Sequence, residues 1–528
     1  MKQDLTRREF IKTAAVSALA FSAAGILPSE KVSAAEDASV KTRYGTFKGF
    51  LDKNGVNTWL GIPYAKPPVG KLRWQAPQQP EPTGKTFDAA KMGFAPMQLV
   101  DDNEGASKNP QSEDCLTLNI WRRGEKKNLP VMVFIHGGGC QSGGGSDPLY
   151  NGSNFAAAND VVFVNFNYRL NIFGFVNFAA IDPAFADCGG YLGTKDQIAA
   201  LRWIKENISE FGGNPDNITI FGESAGAISC MFLSIIPAAQ GIFNKAIFQS
   251  GSVSMHNKPE YTAQLAERFM ELGGAKTMGD MMKKSAAELE QLCEKFSELY
   301  FAENTSAYLP TCDGKFLSLD PLQALKDGAA RGIKFLTGTT ADEYRYFLYY
   351  GEEFFEILRK NYKEISPFRK KSKADAIEKI YKKWLDDRPD TDENFMDFIN
   401  QLDWRVGQEL AAEYQSKFDD VYFYFFSQQS PMENLRSCHM ADLPYTFNVG
   451  HNFVPNPDKN FAKIVQATWT AFAATGNPDN EWIPHWEKYS ADNRQTMELN
   501  AKGCVCRKDW NTQNLNDLRY VYESHGYA

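Results

Sequence analysis

The pentapeptide Gly222-Glu223-Ser224-Ala225-Gly226 limits what this chain can fold into more than any other stretch. It follows a short apolar run, residues 218–221, and leads into a helix-forming run, residues 227–236. A serine held this way, after a strand and before a helix, is the G-x-S-x-G turn that lifts an Oγ clear of the end of a sheet. The flanking glycines let the helix and the neighbouring strands approach closely. The helix N-terminus then offers backbone N–H groups to a developing oxyanion. With 40 glycines in the chain, a chance match of five residues is the bland alternative. The strand–turn–helix setting is what argues against it.

The surrounding pattern fits that setting. Residues 130–135 are a continuous apolar run and 161–168 an apolar run interrupted only by Asn165 and Asn167, and both read as buried strands. Between residues 196 and 211, Ile198, Leu201, Ile204, Ile208 and Phe211 recur at helical spacing. Residues 246–249, 333–337 and 421–426 read as further strands. Strands alternating with helices predict an α/β chain with a mainly parallel sheet covered on both faces. Residues 39–74 alternate apolar and polar side chains and predict a small antiparallel sheet. The charged, aromatic stretch 347–418 has no strand pattern and predicts a helical insertion over the site.

A serine nucleophile needs a base, and the base needs an acid to orient it. In this kind of fold they follow in the order serine, acid, histidine. His439 lies beyond the 421–426 strand, where the base is expected, with His451 as its competitor. His136 precedes the serine, His256 follows too closely, and His525 is near the terminus. The acid belongs at the end of the 333–337 strand, where Asp342 and Glu343 qualify equally. His136-Gly137-Gly138-Gly139 follows the 130–135 strand and can aim several N–H groups at one point, as an oxyanion requires. A flexible turn is its plain alternative. Phosphate binding is disfavoured: there is no G-x-G-x-x-G here, and Gly84-Lys85-Thr86 has Gln79 where a P-loop needs its first glycine.

Thr6-Arg7-Arg8-Glu9-Phe10-Ile11-Lys12, the apolar run 13–27 and Val32-Ser33-Ala34 resemble a twin-arginine export signal with its cleavage site. The expected organisation is a signal at 1–34 and one catalytic domain at 35–528, exported to the periplasm or beyond. The apolar run is shorter than a membrane span. Residues 1–34 carry Lys2, Arg7, Arg8, Lys12 and Lys31 against Asp4, Glu9 and Glu30. Removing them takes the formal net charge from −8 to −10, which argues against a nucleic-acid partner. The nine scattered cysteines do not make a disulfide framework and are expected to be mostly buried thiols. Cys504-Val505-Cys506 has no second pair or nearby histidine to make a metal site. No cofactor or metal is expected, and oligomeric state leaves no sequence signal.

These segments together are similar to the type-B carboxylesterase and cholinesterase family across residues 40–500. The matching stretches include Leu60 to Pro68, Ser112-Glu113-Asp114-Cys115-Leu116, Asn167-Tyr168-Arg169-Leu170, Phe211-Gly212-Gly213-Asn214-Pro215, Gln249-Ser250-Gly251-Ser252 and Thr475-Gly476-Asn477-Pro478. The resemblance, nearest to the bacterial general esterases, implies an α/β-hydrolase fold acting on small-molecule esters. It implies Ser224 as nucleophile, Glu343 as acid and His439 as base, with oxyanion donors at Gly138, Gly139 and Ala225. It also implies that Ser250 supports the triad and that Glu223 adds negative charge beside the serine.

The chain departs from the family in three places. Tyr344 stands where a glycine usually follows the acid, which predicts a narrower site. Ala95-Pro96-Met97-Gln98 lacks the cysteine that would pair with Cys115. The loop 99–113 has no aromatic ring to hold a quaternary ammonium, so choline esters are not expected to be preferred. Amide or carbamate hydrolysis by the same triad is the alternative chemistry. A non-catalytic binding homologue is disfavoured, because serine, acid, base and glycines are all present.

Overall fold

The computed structural model describes residues 38–100, 108–252, 254–299, 307–350, 359, 371–509 and 516–519. The twin-arginine segment, His525 and part of the 99–113 loop lie outside the described residues.

The chain begins with short strands: β1 (Ser39–Thr42), β2 (Gly45–Lys48), β3 (Phe50–Leu51), β4 (Val56–Pro63) and β5 (Thr86–Asp88). It continues through β6 (Thr117–Arg123), β7 (Leu129–Ile135), β8 (Val162–Phe166), β9 (Gly213–Glu223) and β10 (Lys245–Gln249). The last strands are β11 (Lys334–Thr340), β12 (Val421–Phe426), β13 (Thr496–Leu499) and β14 (Val505–Arg507). Among the described residues an 11-stranded sheet runs in the order β14-β13-β12-β11-β10-β9-β7-β8-β6-β4-β3. From β13 to β8 neighbouring strands are parallel, and both edges finish in antiparallel strands. The middle strands are buried along most of their length and rich in apolar residues because helices cover both faces. In β12, Val-Tyr-Phe-Tyr-Phe-Phe, every residue is buried.

The small N-terminal sheet differs from the alternation-based expectation. Only β1 and β2 of the 39–74 stretch belong to it; they pair antiparallel, and β5 joins β2 in parallel from outside that stretch. β3 and β4 instead extend the edge of the large sheet. Alternation reports which face of a strand is buried, not which strand lies beside it.

The 196–211 periodicity is a helix, α1 (Leu192–Asn207), ending in a 3-10 turn at Ile208–Phe211. The helix after Ser224 is α2 (Ala225–Ile235), buried on all sides, which accounts for its lack of any charged residue. The insertion is helical where described: α3 (Lys371–Leu385), α4 (Asp392–Ile399), a π-helical turn Asn400–Arg405 and α5 (Val406–Gln415). No described helix is long and apolar enough to cross a membrane.

Candidate active site

Register brings the carboxyl ends of five parallel strands to one level. Ile135 of β7 pairs with Gly222, Glu223 of β9 with Gln249, Gln249 of β10 with Gly338, and Thr340 of β11 with Phe426 of β12. Every candidate residue follows one of these ends, the crevice where open α/β sheets bind ligands.

Ser224 occupies the turn between β9 and α2 with φ 56° and ψ −124°. A non-glycine residue there is strained by about 1–3 kcal/mol, held because the surroundings over-determine it. Its N–H donates to Gln249 O (2.9 Å), and its carbonyl accepts from Ile228 N (3.0 Å). The flanking glycines are obligatory. A Cβ on Gly222 would lie 2.5 Å from the Gly226 backbone, and one on Gly226 would lie 2.0 Å from Ile135 O.

The glycine loop lies against this elbow. A Cβ on Gly137 would come within 2.8 Å of Glu223 O and 3.2 Å of Ser224 Cβ. Gly138 and Gly139 have φ of 95° and 60°. His136 Nδ1 contacts Gly137 O at 3.0 Å, and Gly138 O accepts from the N–H groups of Gln141 and Ser142 (3.0 and 2.9 Å). A trans peptide points its C=O and its N–H in opposite directions. With both carbonyls turned into the loop, the N–H groups of Gly138 and Gly139 face away from it. Ala225 adds the first N–H of α2. Burial pushes the His136 imidazole down to about 4. It is a neutral loop-builder, stacked on Tyr168 with ring centroids 4.3 Å apart.

His439 and Glu343 meet. Nδ1 of His439 lies 2.6 Å from Glu343 Oε2, and both side chains are buried. The His439 N–H also donates to Glu343 O (3.2 Å), and Glu343 Oε1 accepts from the Thr340 N–H (2.8 Å). Asp342 faces elsewhere: its carboxylate accepts from the Ser437 N–H (3.2 Å), and its own N–H donates to Ser437 O (2.9 Å). His451 pairs its backbone with Val454 and packs on Phe453.

Glu223 and Ser250 lie close to these groups, and the Glu223 carboxylate is near Ser224: a Cβ on Gly137 would meet Glu223 Oε2 and Ser224 Cβ alike at 3.2 Å. Glu223 turns its carboxylate to His439: Oε1 lies 3.1 Å from His439 Nε2. The imidazole therefore has a buried carboxylate on each nitrogen. Ser250, at φ 54°, donates its N–H to Gly338 O, and its buried Oγ has no hydrogen-bond partner among the described residues.

Rings from the insertion also reach the site. Trp404, on the π-helical turn, brings its ring centroid 4.5 Å from that of His439; Tyr346 and Phe347 approach at 5.9 and 6.4 Å. π-helical turns recur at functional sites. Tyr344 donates from its hydroxyl to Asp403 Oδ2 (2.6 Å) and sets its ring edge-on to Trp404. Asp442 is buried near His439, accepting from Gln249 Nε2 (2.8 Å) and the Tyr424 hydroxyl (3.2 Å). Burial, with the nearby Glu343 charge, pushes its carboxyl up to about 6. Gln98 was not among the candidate residues of the sequence, where its stretch matters only for the cysteine it lacks. The signal available was an amide set between Pro96-Met97 and Leu99-Val100. All nine cysteines are free thiols, buried except for the half-buried Cys504 and Cys506.

The model of the carboxylesterase family matches residues 36–518. The chain is 36% identical over 484 residues to a para-nitrobenzyl esterase of Bacillus subtilis (strain 168), covering 88% of this chain and 95% of that enzyme. It is 30% identical over 520 residues to a cholinesterase of Mus musculus, covering 90% of this chain and 85% of that one. A solved carboxylesterase of Geobacillus stearothermophilus superposes with a TM-score of 0.80 at 33% identity, covering 91% of this chain and all (100%) of that one.

Proposed function

The chain belongs to the carboxylesterase family and is a carboxylic ester hydrolase; from that premise we propose that it works through a Ser224–His439–Glu343 triad and an acyl-enzyme. Ser224 Oγ attacks the ester carbonyl while His439 Nε2 takes its proton. Glu343 at Nδ1 fixes the tautomer and stabilises the imidazolium. The N–H groups of Gly138, Gly139 and Ala225 receive the oxyanion. His439 then returns the proton to the leaving alcohol, and water repeats the sequence to free the acid. Glu223, 3.1 Å from Nε2, yields that nitrogen to Ser224 Oγ for the transfer and adds its charge to the imidazolium's field.

The observation that carries this reading is the buried 2.6 Å contact between His439 and Glu343, level with the Ser224 elbow. The proposed substrates are uncharged short-chain alkyl or aryl esters. The test is labelling with a fluorophosphonate followed by peptide mapping. The label is expected on Ser224, and Ser224→Ala is expected to lower kcat on p-nitrophenyl acetate by about 10⁶. Label on another serine, or more than a few per cent of activity left in the variant, overturns the assignment.

Export by the twin-arginine route belongs to the same reading. The family match starts at residue 36, which supports treating 1–34 as separate from the catalytic domain. Arg7→Lys with Arg8→Lys is expected to leave the activity in the cytoplasm; unchanged export would rule the route out.

A further inference from the structure

Gln98 is wholly buried, and both ends of its amide bind the same loop residue. Nε2 donates to Gly143 O (2.9 Å), and Oε1 accepts from the Gly143 N–H (2.8 Å). The second hydrogen on Nε2 goes to Pro96 O (3.0 Å). The Gln98 N–H donates to Gln111 Oε1 (2.8 Å), so the anchor is itself anchored.

Gly143 closes the turn that begins at Gly137. It has φ 96°, and a Cβ there would lie 2.6 Å from His136 Nδ1 and 2.9 Å from Gly137 O. Its backbone is therefore pressed against the imidazole–carbonyl contact that turns the Gly138 N–H outward. Ser142, its chain neighbour, hydrogen-bonds Gly138 O from its N–H and its hydroxyl (2.9 and 3.2 Å), the contact that turns the Gly139 N–H outward. The loop runs His136-Gly137-Gly138-Gly139-Cys140-Gln141-Ser142-Gly143, where glycines supply little rigidity of their own.

We propose that Gln98 is a positioning residue for the oxyanion hole: its side-chain amide clamps Gly143 and thereby holds the Gly138 and Gly139 N–H groups in line. The proposal rests on the oxyanion assignment above. Gln98 does not touch substrate. It acts as a one-residue strand partner, donating to and accepting from a single backbone unit. Removing it leaves a buried N–H and C=O unpaired on Gly143, and the loop must shift to satisfy them.

The test compares wild type, Gln98→Met and Gln98→Glu on p-nitrophenyl acetate, with rates normalised to sites titrated by fluorophosphonate. Methionine keeps the length and loses both hydrogen bonds; glutamate keeps the acceptor for the Gly143 N–H. Inhibition by a trifluoromethyl ketone, whose adduct carries an oxyanion, is measured against the parent methyl ketone. Gln98→Met is expected to lower kcat per titrated site by about 10- to 100-fold, the scale of a misplaced oxyanion donor. KM should stay within about threefold, the pH profile should not move, and the trifluoromethyl preference should shrink by the same factor as kcat. Gln98→Glu should fall between the two, and it decides the matter if Gln98→Met does not fold. A wild type without preference for the trifluoromethyl ketone sinks the oxyanion assignment. A wild type with that preference, retained in full together with kcat by the variants, sinks the role of Gln98 alone.

Discussion

Glu343 lies 2.6 Å from His439 Nδ1, whereas its chain neighbour Asp342 faces the Ser437 N–H on the loop that carries the histidine. The two acids therefore have separable effects. Glu343→Gln is expected to lower kcat by several orders of magnitude, because a neutral amide neither holds the tautomer nor stabilises imidazolium. Asp342→Asn keeps an acceptor for Ser437 and should cost less than about tenfold. Steady-state kinetics on one ester decides it, and the reverse ranking would move the acid to Asp342.

Asp442 and His136 should pull stability in opposite directions between pH 4 and 6.5. The Asp442 carboxyl, pushed from 3.8 to about 6 by burial, keeps a proton that the unfolded chain has released. Stability then falls as pH rises through that window, by about 3 kcal/mol. The His136 imidazole, pushed from 6.5 to about 4, refuses a proton that the unfolded chain accepts, so its contribution rises with pH. Asp442→Asn should gain stability relative to wild type above pH 6, the gap closing toward pH 4. Urea midpoints across pH 4–8 measure it, and a gap independent of pH contradicts the assignment.

Tyr344 stands where a glycine is usual and leans on Trp404, which packs on the His439 ring. Tyr344→Gly should open that wall. The ratio of kcat/KM for p-nitrophenyl hexanoate over the acetate is expected to rise about tenfold or more, since each added methylene is felt in an apolar pocket. Tyr344→Phe keeps the ring and should leave the ratio near wild type. An unchanged ratio in Tyr344→Gly would place this wall outside the substrate's path.

The 99–113 loop brings no aromatic ring, so a phenyl ester should be preferred to the choline ester of the same acyl group. A missing cation–π contact is worth ~2 kcal/mol in a desolvated site, a factor of about 30. The comparison is kcat/KM for the pair, corrected for intrinsic hydrolysis. A preference for choline would assign the cation to the rings around His439, namely Tyr346, Phe347 and Trp404.

What was legible in the sequence was what short stretches enforce by themselves. The 218–221 strand, the elbow at Ser224 and the helix behind it follow from apolar runs and from glycines that no other residue can replace. The same holds for the buried strands of the sheet centre, whose composition reports two covered faces. The tertiary structure decided what depends on residues far apart in the chain. Adjacent carboxylates such as Asp342 and Glu343 differ only in the direction their loop gives them, and that loop is braced by Ser437, 95 residues on. Glu223 reaches His439 as well as flanking Ser224 because β9 and β12 end at one level of the sheet. Gln98 meets Gly143 across 45 residues, and Trp404 meets His439 through a π-helical turn that periodicity does not announce. Local pattern sets which residues are buried and where the chain must turn; which buried groups face one another is set by register and packing, which no short stretch contains.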